Sequence, residues 1–79
     1  MWEIGKLSIE NENGENKEVR YWVKHFDEGG CWGINDGRIS TLSLKMDGKW
    51  VANYDRGWDQ EPACEEARKA FEILMKRYN

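Results

Sequence analysis

Residues 38–55 read RISTLSLKMDGKWVANYD, and this stretch decides the fold. Leu42, Leu44 and Met46 recur at every second position, the period of a strand with one buried face. Asp47-Gly48 follows, two residues that tolerate positive φ and so suit a two-residue hairpin turn. Residues 49–55 resume the alternation, with Trp50, Ala52 and Tyr54 expected on one face and Val51 and Asn53 on the other. Strands joined by so short a turn pair antiparallel.

Towards the N-terminus the same period continues. Residues 18–26, EVRYWVKHF, place Val19, Tyr21 and Val23 on one face and Arg20, Trp22 and Lys24 on the other. Residues 1–10, MWEIGKLSIE, alternate with a slip of phase at Gly5-Lys6, and a β-bulge at the glycine is expected to return Trp2 and Ile4 to the face of Leu7 and Ile9. Asn13-Gly14 marks the hairpin between these strands, both residues being tolerant of positive φ. Residues 27–37, DEGGCWGINDG, form a glycine-rich connection that Trp32 and Ile34 are expected to pin to the domain.

Towards the C-terminus, residues 56–61 read as a connection, followed by a helix over about 62–78. Ala63, Ala67, Ala70, Phe71, Leu74 and Tyr78 follow the helical period, and charged residues fill the other positions. Pro62 suits a first turn, Asp59 or Glu61 is the expected cap, and acids precede bases as the helix dipole favours. A single domain over residues 1–79 is therefore expected. Its class is α+β: a four-stranded antiparallel meander covered on one face by one C-terminal helix, ββββα.

Composition narrows the function classes. The 79 residues carry a net charge of −3, which disfavours a general nucleic-acid binder and an anionic-membrane binder. No apolar run reaches the length of a membrane span, and the N-terminus lacks the pattern of a signal peptide, so a cytoplasmic location is expected. Cys31 and Cys64 show no paired spacing and are expected to be reduced thiols. The five tryptophans are a large apolar stock for so short a chain, sufficient to thicken a thin core.

Candidate chemistry is sparse. His25 is the only histidine, so a Ser-His-Asp or Cys-His arrangement has to use it, and a strand position beside Lys24 and Phe26 is ordinary for a structural histidine. One histidine and two separated cysteines do not make a zinc set. GGCWGINDG lacks the Gly-Lys-Ser/Thr ending of a phosphate loop. In YDRGWDQE, Asp55 and Asp59 admit a carboxylate pair. The simpler account has Arg56 bridging the two acids, Trp58 plugging the junction between sheet and helix, and Asp59 capping the helix. The ends of strands three and four are neighbours, so an Arg38–Asp55 contact is expected to join the two motifs. Trp32, Asn35, Arg38, Asp55, Arg56, Trp58 and Asp59 are the candidate binding residues, with no catalytic residue, metal ligand or cofactor assigned.

WGINDGRISTLSL followed by YDRGWDQEP and a helix resembles a family of small uncharacterised proteins of Firmicutes bacteria, their phages and mobile elements. Gly33, Ile34, Asn35, Gly37, Arg38, Ile39 and Ser40, then residues 54–59, carry the resemblance, and Asp36 stands where the pattern commonly has a second glycine. The resemblance implies a small accessory protein and transfers no catalytic residue. The expected function is a non-enzymatic module that binds a protein partner or self-associates as a homo-oligomer through its open sheet face, an edge strand or the loop, with no nucleic acid and no membrane as partner. The alternative is a small anionic ligand gripped by Arg38 and Arg56 at the sheet end.

Overall fold

In the computed structural model, which describes residues 1–31 and 33–79 and only the backbone of Asp36, five strands form one antiparallel sheet in sequence order. They are β1 (Trp2–Glu10), β2 (Asn16–His25), β3 (Ile39–Met46), β4 (Lys49–Asp55) and β5 (Trp58–Gln60), followed by helix α1 (Glu65–Tyr78). The α+β meander with one C-terminal helix is present, with five strands where four were expected. Trp58–Gln60 pairs with β4 through Tyr54↔Trp58 and Asn53↔Gln60, so the segment read as a connection is a short edge strand.

Helix α1 covers one face. Val19 and Val23 of β2, Ile39, Leu42 and Leu44 of β3 and Ala52 of β4 meet Ala67, Ala70 and Leu74 of the helix, all of them fully buried. Two alanines at the contact let the helix backbone lie close to the sheet, and Leu74 fills the space that remains. The helix begins three residues later than the sequence suggested. Ala63 N–H donates to the carbonyl of Val51 at 2.8 Å, which holds the chain in the sheet beyond Pro62. Neither Asp59 nor Glu61 caps the helix: the N-cap is Cys64, which makes no side-chain cap bond. Glu65 and Glu66 in the first turn meet the positive end of the dipole. A hydrogen bond to its own backbone N–H holds the Glu66 carboxyl below the usual carboxylate range.

Two register features decide which side chains stay uncovered. The β1–β2 ladder runs without a shift from Trp2↔Lys24 to Glu10↔Asn16, so Gly5 is not a bulge. Gly5 faces the helix side, and an added Cβ there would lie 2.6 Å from the Tyr21 hydroxyl, so the missing side chain makes room for the tyrosine ring. The phase slip is therefore literal: Leu7 and Ile9 turn to the core, while Trp2 and Ile4 stay on the open face, 53% and 63% exposed. In β4 the pairing steps from Leu44↔Ala52 to Lys45↔Trp50. This extra residue at Val51 places Trp50 on the open face, opposite to Ala52 and Tyr54, with which the alternation had grouped it.

The turns divide similarly. Asp47 (φ 53°) and Gly48 (φ 77°) both have positive φ, as the Asp-Gly hairpin requires. In the first hairpin only Gly14 does, and the loop is held instead by Asn11, whose Oδ1 accepts from the N–H groups of Asn13 and Glu15, both at 3.0 Å.

Candidate functional site

The open face is a lattice of side chains fixed by register. Across the sheet, Ile4, Trp22, Ser43, Asn53 and Gln60 form one row. Lys6, Arg20, Lys45 and Trp50 form the next, and Trp2, Lys24, Thr41 and Asp55 the row on the other side. The rings of Trp22 and Trp50 meet at 5.3 Å between centroids with a 57° tilt. Cations lie over aromatic rings at three places: Arg20 over Trp22 at 5.3 Å, Lys45 over Trp50 at 5.0 Å and Lys24 over Phe26 at 5.6 Å. Each such contact is worth about 0.5–1 kcal/mol at exposed sites, so it orients these side chains without locking them.

The cations of these rows stand outside the ion pairs. Among the described residues the ion pairs are Lys17–Asp47 at 3.7 Å and Lys69–Glu65 at 3.1 Å, and neither involves Lys6, Arg20, Lys24 or Lys45. Glu18 and Asp47 bound these rows towards the β1–β2 and β3–β4 hairpins. At the opposite end the face runs into a cavity of about 390 Å³ whose lining includes Trp2, Lys24, Phe26, Thr41, Asp55 and Arg56. Arg56 stands in the left-handed region (φ 58°) at the tip of the β4–β5 turn. Its N–H donates to the carbonyl of Ser40 at 3.1 Å, and Asp55 N–H donates to that of Gly57 at 2.9 Å. A non-glycine residue in this conformation costs about 1–2 kcal/mol.

The sequence-derived candidates separate into two places. Asp55 and Arg56 line the cavity at the end of the open face. Asn35 and Trp58 line one cleft of about 600 Å³ on the helix side, with Ile34, Pro62, Arg68 and Phe71. Trp58 does sit at the junction of sheet and helix, edge-on to Tyr54 at 5.1 Å and to Phe71 at 5.4 Å. Arg38 lines neither cavity and forms no ion pair with Asp55, which the register sets opposite Thr41; the Arg38 carbonyl accepts from Phe26 N–H at the end of β2. Asp59 is an exposed residue of β5 that Arg56 does not bridge to Asp55. Trp32, expected to anchor the loop, lies outside the described residues.

The loop is held by the far end of the helix. Asn79 Oδ1 accepts from Ile39 N–H at 2.9 Å, and its Nδ2 donates to the carbonyl of Ile34 at 3.1 Å. Gly37 leaves room for this amide, since a Cβ there would collide with it. His25 stacks on Tyr78 at 5.0 Å with both ring nitrogens buried and without hydrogen-bond partners. A buried polar group left unsatisfied costs about 1–3 kcal/mol, so the ring serves packing at a penalty. The Tyr21 hydroxyl beside Tyr78 holds that phenol above its ordinary range.

The open face with Arg20, Trp22 and Lys24 is as the alternation suggests, but Trp2, Ile4 and Trp50 join it against expectation, because the alternation and the bulge expected at Gly5 group them with the core. Lys6, Lys45, Trp2 and Trp50 carry no local motif, and only the pairing register aligns them. The chain belongs, over residues 1–79, to the family described as Domain of unknown function (DUF7678). No curated protein and no solved structure gives a significant match to it.

Proposed function

We propose that the chain is a non-enzymatic binding module whose docking surface is the open face of the sheet. What supports it is a bare face on which Trp22 and Trp50 pair beside four cations that form no ion pair among the described residues. Buried aromatics with arginine make the strongest anchors when a partner excludes water. An accessory role in a bacterium or phage of the Firmicutes, in the cytoplasm, is consistent with the resemblance of residues 32–62. A second reading, self-association, draws on β1: it spans nine residues and pairs on one side only, leaving a row of backbone groups available for strand addition.

The experiment is a titration panel read at the indole N–H resonances. The probes are the protein itself in a dilution series, poly-glutamate, an oligothymidylate and inorganic phosphate. The proposal expects at least one polymeric probe to shift Trp22 and Trp50 while leaving Trp58 in place. A response to dilution confined to β1 amides would favour the edge. A response to phosphate alone, at Arg38 and Arg56, would favour the small-anion alternative. Unchanged indoles of the open face across the panel would contradict the docking surface.

A further inference from the structure

The two rows that carry Lys6, Arg20, Lys24 and Lys45 also carry Trp2 and Trp50, and Trp22 lies in the row between them. From this juxtaposition we infer that the occupant of the open face is a single-stranded nucleic acid. The inference rests on the docking surface proposed above and names its partner. The expectation against nucleic acid came from the net charge of −3, but charge acts locally. Most acids of this chain lie in the turns, in the loop and on the helix. On the open face the row of Lys6, Arg20 and Lys45 holds no acid, and the row of Lys24 holds Asp55 at its far end.

Chemistry selects among occupants. A second copy docked face to face across a two-fold axis would set four cations against the same four, which costs association. An acidic peptide satisfies the charge but offers little to flat, half-exposed indoles. A single strand satisfies both: phosphates meet Lys and Arg, and unstacked bases lie on aromatic rings. An antiparallel sheet face bearing aromatics suits this use because its side chains stand roughly perpendicular to the surface at fixed spacing.

The cavity at the end of the face gives the strand a terminus. Trp2 and Phe26 offer ring surfaces, Lys24 and Arg56 offer cations, and Asp55 offers an acceptor. A base seated there stacks on Trp2 or Phe26. Arg56 takes the adjoining phosphate, and Asp55 accepts from an exocyclic amino group of the base, a contact that favours cytosine or adenine over thymine. From Trp2 in this cavity the strand crosses Trp22 towards Trp50, which lies three strands from Trp2. Duplex is disfavoured, because its bases present no free ring face to the indoles.

The test is a fluorescence titration of the intact chain with a single-stranded oligonucleotide of about ten cytosines and adenines, the duplex it forms with its complement, and poly-glutamate. Wild type is expected to show indole quenching by the single strand at low salt. Affinity should fall with salt at a log–log slope near −0.7 for each phosphate contacted. Trp50→Ala is expected to weaken binding about ten-fold, as loss of one stacked base does, and Trp50→Phe to restore most of it. Lys45→Glu should weaken binding and flatten the salt slope, whereas Ile73→Ser, on the exposed side of α1, should change neither. Circular dichroism on each variant separates lost binding from lost fold, and Lys45→Glu keeps the test open should Trp50→Ala unfold. Quenching by poly-glutamate but not by the strand would overturn the nucleic-acid inference and leave the docking surface standing. Strand binding indifferent to both Trp50 and Lys45 would overturn it as well. Silence towards every probe would overturn both proposals.

Discussion

Leu74→Ala is expected to remove most of the stability of this domain. Leu74 is fully buried and is the one large side chain that α1 inserts completely between helix and sheet. Ala67 and Ala70, its neighbours on the helix, are too small to close the gap left behind, so the cavity term adds to the lost transfer energy. Substitutions of this kind cost about 2–5 kcal/mol. A core of this size rarely supplies more than about 3–5 kcal/mol in total. The variant should therefore unfold at a much lower urea concentration, with its melting temperature reduced by roughly 10 °C or more. Ile73→Ala, one position earlier and 37% exposed, should stay within about 0.5 kcal/mol of wild type. Equal effects at the two positions would mean that the helix does not seat on the sheet as described.

Gly33→Ala is the second large effect, and it acts through space and not through backbone conformation. Gly33 has φ −80° and ψ 156°, which any residue adopts. An added methyl group would instead collide with the carbonyl of Gly37, a backbone group with little freedom to retreat. Gly37 is held on both sides: its N–H donates to the carbonyl of Ile34 at 2.9 Å, and its carbonyl accepts from Gly30 N–H at 3.3 Å. Moving it also disturbs the Asn79 amide, which bonds Ile34 and Ile39. Overpacking costs about 1–3 kcal/mol, and a backbone obstacle places this case at the upper end. Gly30→Ala is the control, because nothing lies within 4 Å of its added Cβ. Urea denaturation of both variants should separate them by about 2 kcal/mol. Matching midpoints would refute the close approach of Gly33 and Gly37.

Much of this fold is legible in the chain. Leu42, Leu44, Val19, Tyr21 and Val23 announce the covered face by alternation, Asp47-Gly48 announces its hairpin, and Ala67, Ala70 and Leu74 announce the helix. The losses have local causes. β5 spans only three residues, too short for alternation to register, and its turn places an arginine in the left-handed region with no residue type to signal it. The extra residue at Val51 reverses the parity of Trp50 without leaving a mark in the sequence. At Gly5 the phase slip was visible, but assuming that apolar residues belong to the core hid what it meant. Those same errors of face left the open face, expected with Arg20, Trp22 and Lys24, without half of its aromatic residues. Trp2, Ile4 and Trp50 were assigned to the interior, and a basic surface was averaged away into a net negative charge. The expected Arg38–Asp55 pairing fails because the register sets Asp55 opposite Thr41, three residues beyond Arg38.

The claim on which the rest depends is that one face of the sheet is covered and the other is bare in the free protein. Paramagnetic broadening of the indole N–H resonances by an inert soluble agent, recorded at low and high protein concentration, tests it directly. Trp2 and Trp50, each about half exposed, should broaden strongly at both concentrations, and Trp22 less. Protection of Trp2 and Trp50 together would show that this face is covered, by another part of the chain or by a second copy, and would contradict the account.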